Sequence, residues 1–117
     1  MKYITSDDKQ LTLITIDLLQ RCENIKNGVV NSMTVGQNGI IQGIDLFEKV
    51  LIDFNVESID EEKIDEFKNL VDYVLINDKT MRRNINNYVH VGVNMCFMML
   101  GCYQVLNDYS KKRVKNF

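Results

Sequence analysis

Apolar positions recur along the chain at helical spacing. From Leu11 they run through Ile14, Leu18, Cys22, Ile25 and Val29 in steps of three and four, the repeat of one helix face. Lys9, Asp17, Gln20 and Glu23 take the opposite face, and Leu13 and Ile16 widen the apolar one. Ser6 with Asp7 and Asp8 reads as the helix start, because a hydroxyl caps free backbone N–H groups and acids suit the positive end of the helix dipole. Gly36 and Asn38-Gly39 mark a turn, so the first helix is expected to end between Gly28 and Val35. With no G-x-G-x-x-G and no G-K-[ST], that glycine-containing stretch reads as an ordinary connection.

A second stripe, Ile40, Ile44, Phe47, Leu51 and Phe54, predicts a helix over 40–54, with Asn55 as its stop. Ser58 and Glu61 have the spacing of a capping box, and Asp60 is a rival cap with Ile59 and Ile64 as its staple. Either begins a third helix, whose stripe is Ile64, Phe67, Val71 and Val74, flanked by Leu70 and Leu75. Asn77-Asp78-Lys79-Thr80 is the expected break, although without glycine or proline the third and fourth helices could run on with a kink. The fourth helix is expected from near Thr80 to about Lys111. Its positions Ile85, Val89, Gly92, Cys96, Met99, Tyr103 and Leu106 alternate in steps of four and three, which suits helix packing at a shallow angle.

Within that helix, Tyr88 to Leu106 is apolar almost all the way round, broken only by His90, Asn94 and Gln104. Such a helix belongs in lipid or at the centre of a protein. The stretch is slightly short for a membrane span of about 20 residues, and three amphipathic helices before it need cover. The pattern therefore predicts an all-α fold: one domain over 1–117, an antiparallel four- or five-helix bundle with the apolar C-terminal helix at its centre and no membrane partner. Gly92 and Gly101 each cost a helix about 1 kcal/mol, and close helix–helix approach is the expected return.

Composition supports this reading. Among 117 residues there is no proline and 45% are apolar. The net charge of −2 speaks against a general nucleic-acid binder, but the charges are segregated. Residues 45–78 hold eleven acids and three bases, a net of −8, and residues 79–117 hold seven bases and one acid, a net of +6. Complementary helix faces and a solvated basic tail account for this, and so does contact with an acidic partner. Cys22, Cys96 and Cys102 form no C-x-x-C pair, which suits a reducing compartment. The N-terminus lacks the apolar run of a secretory signal, so a cytoplasmic location is expected.

Candidate chemistry is sparse. His90, the single histidine, is expected to be a buried core residue. Cys96, six residues on, points away from it round the helix. Metal-ligand spacing is absent, no cofactor motif is present, and an enzyme is the least supported class. Binding is better supported. Met81, Met95, Met98 and Met99 with Phe97 and Tyr103 form a soft apolar set, of a kind used both to fill cores and to line helix-binding grooves. The candidate partner-binding residues are Leu18, Ile25, Met95, Met98 and Met99, with Arg82, Arg83 and Lys111 supplying charge. The expected partner is a protein client docking an amphipathic helix, and a homodimer through exposed stripe residues is a further possibility.

The order of short motifs resembles the flagellar export chaperone family (FliS-like, with FliT-like relatives). Thr5-Ser6 with Leu11 resembles the family's entry. Asn27-Gly28-Val29 falls near its helix-one glycine, and Ser58-Ile59-Asp60 is similar to its turn. Asn69-Leu70-Val71-Asp72-Tyr73-Val74 resembles its third-helix signature. The family's L-Y-D-G is absent, and Leu18-Leu19-Gln20-Arg21 stands nearby. The resemblance implies a small helical bundle that holds the terminal helices of a secreted filament protein without ATP. A central apolar helix is also similar to the Bcl-2-like regulators, whose N-W-G-R signature is missing. That resemblance, with immunity, antitoxin-like or phage-encoded inhibitors, makes a small intracellular regulator of a folded partner the alternative function.

Overall fold

A threonine opens the first helix. In the computed structural model, which describes residues 10–77 and 87–115 (side chains of the last helix from 88 to 110), α1 spans Leu13–Ser32 with Thr12 as its N-cap. Thr12 Oγ1 accepts from Thr15 N at 3.1 Å and donates to the Val56 carbonyl at 2.6 Å. Thr12 N donates to Asn55 Oδ1 at 2.9 Å, and Asn55 Nδ2 donates to the Gln10 carbonyl at 3.2 Å. These bonds set the entry of α1 at Thr12. The start expected at Ser6–Asp8 lies outside the described residues.

Met33 ends α1 in the left-handed region, with φ 53°, inside the window expected for that terminus. Gly36, with φ 78°, then caps α2, Gln37–Phe54. A side chain at Gly36 would be strained, and it would also strike the Tyr88 ring. Asn55, again left-handed, closes α2 by donating its N–H to the Leu51 carbonyl at 2.8 Å. α3 spans Glu61–Asn77. Ile64 N donates to the Asp60 carbonyl at 3.0 Å, which puts Asp60, the rival, at the capping position. Ser58 Oγ donates instead to Asp60 Oδ2 at 3.1 Å. α4 spans Asn87–Lys115. Most of the break expected at Asn77–Thr80, and the expected start of the fourth helix, fall outside the described residues.

α2 packs against each of the other three helices, and α4 is its principal partner. α1 comes close to both α2 and α4, while the backbone of α3 comes close only to that of α2. Tyr88 lies over Gly36 and Gly92 meets Gly43, and further along Phe97 meets Phe47. α2 and α4 therefore run in the same direction, as they must when consecutive helices alternate. A Cβ on Gly43 would collide with the Val89 carbonyl oxygen, and one on Gly92 with the Ile40 carbonyl oxygen. Gly92 thus has the close-packing role its sequence position suggests. Gly101 does not, because a Cβ there meets nothing within 4 Å.

Phe47 joins three helices. Its ring meets Phe67 of α3 edge-on at 5.2 Å between centroids and Phe97 of α4 at 5.5 Å. Around it Leu18, Leu19, Cys22, Ile44, Leu51, Ile64, Val71, Val89, Cys96 and Leu100 are buried. The expected all-α bundle is what forms, with α2 and α4 as its central pair. α4 contributes one face to the core (Val89, Gly92, Val93, Cys96 and Leu100). Its other side is open, carrying Val91, Met98, Val105, Leu106 and Tyr109 in contact with solvent. The reason is topological: α3 sits against α2 rather than α4, so no helix among the described residues covers that side. His90 is exposed, which corrects the expectation that it is a core residue.

Candidate functional site: the groove between α1 and α4

α1 and α4 meet along a seam of small and polar side chains. Cys22 and Cys96 are both buried and reduced, and contact with Cys96 together with burial pushes the Cys22 thiol far up. A thiol held protonated is a packing group rather than a nucleophile. Farther along, the Arg21 guanidinium carbon lies 5.0 Å from the centroid of the Tyr103 ring, and Arg21 Nε is 3.5 Å from Asp17 Oδ1. Burial and the Asp17 carboxylate raise the Tyr103 hydroxyl above its usual range, against the pull of Arg21.

Towards the C-terminal end of α1 the seam opens into a hollow of about 470 Å³ lined by Ile25, Gly28, Val29, Ile40 and Met95, with Ser32 and Thr34 at its edge. Gly28 is exposed, and a Cβ there would stand in open space. The walls are uncharged: from Asn27 to Gly43 the chain carries no ionisable side chain. On α4 the apolar surface continues from Met95 and Met99, both half-buried, to the exposed Met98, Cys102, Val105, Leu106 and Tyr109. At 100° per residue these positions stay on the α1 side and the outer side of α4. The polar residues His90, Gln104 and Asp108 fall on the side facing α3. There a second hollow of about 420 Å³ is lined by Asp60, Glu61, Asp65, Lys68, Gln104 and Asp108.

The structure thus brings Ile25 and Met95 into one hollow, while Met99, half-buried, and Met98, 72% exposed, lie on α4 outside its lining. Leu18 is a correction. It is fully enclosed, because its position on α1 faces the α2–α4 pair, and no partner reaches it. Arg82 and Arg83 lie outside the described residues. Lys111 is on α4, with its side chain outside them.

Sequence reasoning missed the buried charge beside this groove. Lys26 Nζ lies 2.6 Å from Asp45 Oδ1, 2.9 Å from Glu48 Oε1 and 3.6 Å from Glu23 Oε1. Burial opposes the charge on Lys26, but Asp45 and Glu48 outweigh it and raise its pKa. For Glu48, buried between α1 and α2, loss of water outweighs the ammonium, and its carboxyl is pushed up to about 7. The available signal was Lys26 itself, one residue from the apolar Ile25 and facing the second helix. Among the described residues no three His, Cys, Asp or Glu side chains converge as a metal ion would require. Tyr88–Ser110 has the length and composition of a membrane span, with a mean hydropathy of 1.4 and 28% of that window buried. Compared with known proteins, the chain matches no family model, no curated protein and no solved structure.

Proposed function

We propose that this protein is a non-enzymatic adaptor that holds an amphipathic helix of a client protein in the groove between α1 and α4. The observations that carry the reading are the open apolar hollow at Ile25, Gly28, Val29 and Met95 and the exposed apolar side chains of α4, Met98, Val105, Leu106 and Tyr109. A helix docks by seating side chains at positions i, i+3, i+4 and i+7 into such a surface. Methionines and a glycine wall let the surface adjust to the side chains it receives. Export chaperoning in the cytoplasm is the cellular setting that the motif resemblance implies. The functional chemistry would be burial of apolar area, at about 25 cal/mol per Å² removed from water.

Gly28 offers a clean test. Gly28→Leu fills the hollow from the wall and replaces a poor helix former with a good one, so the thermal midpoint holds or rises. Affinity for an amphipathic helical peptide, read by fluorescence anisotropy, falls about tenfold or more. A folded Gly28→Leu protein that binds such peptides as the parent does would place the docking site elsewhere.

A further inference from the structure

We infer that Glu48 is a proton-operated latch on α1: its neutral carboxyl lets residues 23–32 lie against α2, and loss of that proton drives this half of the helix away. The latch belongs to the α1–α2 contact and stands whatever the groove holds. Glu48 is the one charged side chain that is buried among the described residues. One ammonium, Lys26 Nζ, meets three carboxylates there, Asp45 at 2.6 Å, Glu48 at 2.9 Å and Glu23 at 3.6 Å. With all three ionised, two negative charges stay uncompensated. Asp45 and Glu23 reach water, with side chains 55% and 34% exposed, so the charge that is costly to keep is that of Glu48. No other element relieves it. α3 turns Ile64, Phe67, Val71 and Leu75 inwards. From Asn87 to Asn107, α4 carries no titratable side chain other than its cysteines, two tyrosines and the exposed His90. On α1 the remaining neighbour is the Cys22 thiol, which stays protonated.

The element that gives way is α1. Around Glu48, α2 is fixed by Phe47 between the rings of Phe67 and Phe97 and by Gly43 against Gly92. The first half of α1 is fixed by the Thr12 cap and by Leu18, Leu19 and Cys22. Beyond Cys22 the one buried residue of α1 is Val29. Asn24, Asn27, Gly28 and Val30 are exposed, and asparagine and glycine are weak helix formers. Besides the Lys26 cluster, Gln37 Nε2 holds this half by donating to the Val29 and Val30 carbonyls at 3.2 and 2.8 Å. A segment with so few buried contacts opens ahead of the rest. The closed form keeps a proton that the open form loses. Opening therefore becomes easier as pH rises from the ordinary glutamate range to about 7, and levels off above it. Ile25, Gly28 and Val29 line the hollow, so the latch makes the shape of the hollow depend on pH.

The test is amide exchange of the full chain at several pH values, each rate taken relative to that of an unstructured peptide at the same pH. Residues 23–32 should open more often than residues 40–51 of α2 at every pH. Their opening constant should rise about tenfold or more between pH 5 and 7. Glu48→Gln keeps the neutral form and flattens that rise. Asp45→Asn, at an exposed side chain, takes one competing acid from Lys26 and moves the levelling-off to lower pH, which keeps the test decisive if Glu48→Gln unfolds. Histidine titrates in the same range, so His90→Asn is the control and leaves the profile as it was. A rise that survives Glu48→Gln or vanishes in His90→Asn overturns the inference. So does opening of residues 23–32 at the same rate as 40–51, because α1 then moves only when the whole chain unfolds.

Discussion

Single atoms decide the spacing of the central pair. Gly43 and Gly92 let α2 and α4 approach until each Cβ position is occupied by a carbonyl oxygen of the other helix. Gly43→Ala or Gly92→Ala forces the pair apart and costs about 1–3 kcal/mol, read as a lower urea midpoint. Gly101→Ala, in open space on the same helix, gains up to about 1 kcal/mol from helix propensity. Equal effects at Gly92 and Gly101 would mean that the helices do not cross there. The second decisive atom is the Glu48 carboxyl. Its folded pKa of about 7 lies above its ordinary value, so between those two values the folded state keeps a proton that the unfolded chain has lost. The contribution of Glu48 to stability therefore falls as pH rises from about 5 to 7. Glu48→Gln removes that slope. The stability difference between parent and variant should change by on the order of 1–3 kcal/mol between pH 5 and 8. Parallel pH profiles would rule this out.

At the level of elements, α1 is held at its start by a threonine and an asparagine on the far side of α2. Thr12→Ala removes a cap and a bond to the Val56 carbonyl and costs about 1–2 kcal/mol. It also speeds amide exchange in the first turn of α1, whereas an unchanged exchange rate there would show that the helix is fixed by packing alone. Much of the element layout was legible in the sequence. The stripes Ile40–Ile44–Phe47–Leu51 and Ile64–Phe67–Val71 are the buried faces of α2 and α3, and Asn55 stops α2 as its residue type suggests. The entry of α1 was not, because Ser6-Asp7-Asp8 is as good a local cap as Thr12. What distinguishes Thr12 is its bonding to Asn55 and Val56, more than forty residues away.

At the scale of the whole molecule, the four helices among the described residues share two central positions. Apolar composition marked α4 as central, and Val89, Gly92 and Cys96 of the predicted stripe are in the core face, whereas Leu100, outside the stripe, is buried and Leu106, within it, is exposed. Composition could not show that α3 would rest on α2 and leave the outer side of α4 open, since that depends on the Phe47–Phe67 contact and the chain path. The candidate site was therefore half legible. Ile25 and Met95 were singled out and line one hollow, and Met98 was singled out and is exposed, but Leu18, chosen by the same periodicity, is core. A stripe gives the direction of a side chain without saying which neighbour, if any, covers it.

The groove reading is tested most directly by methyl NMR of the six methionines in the full chain, titrated with an amphipathic helical peptide. A helix seated between α1 and α4 moves the Met95, Met98 and Met99 methyl signals together, saturating at one peptide per protein. Saturable binding that leaves all three signals where they were would contradict it.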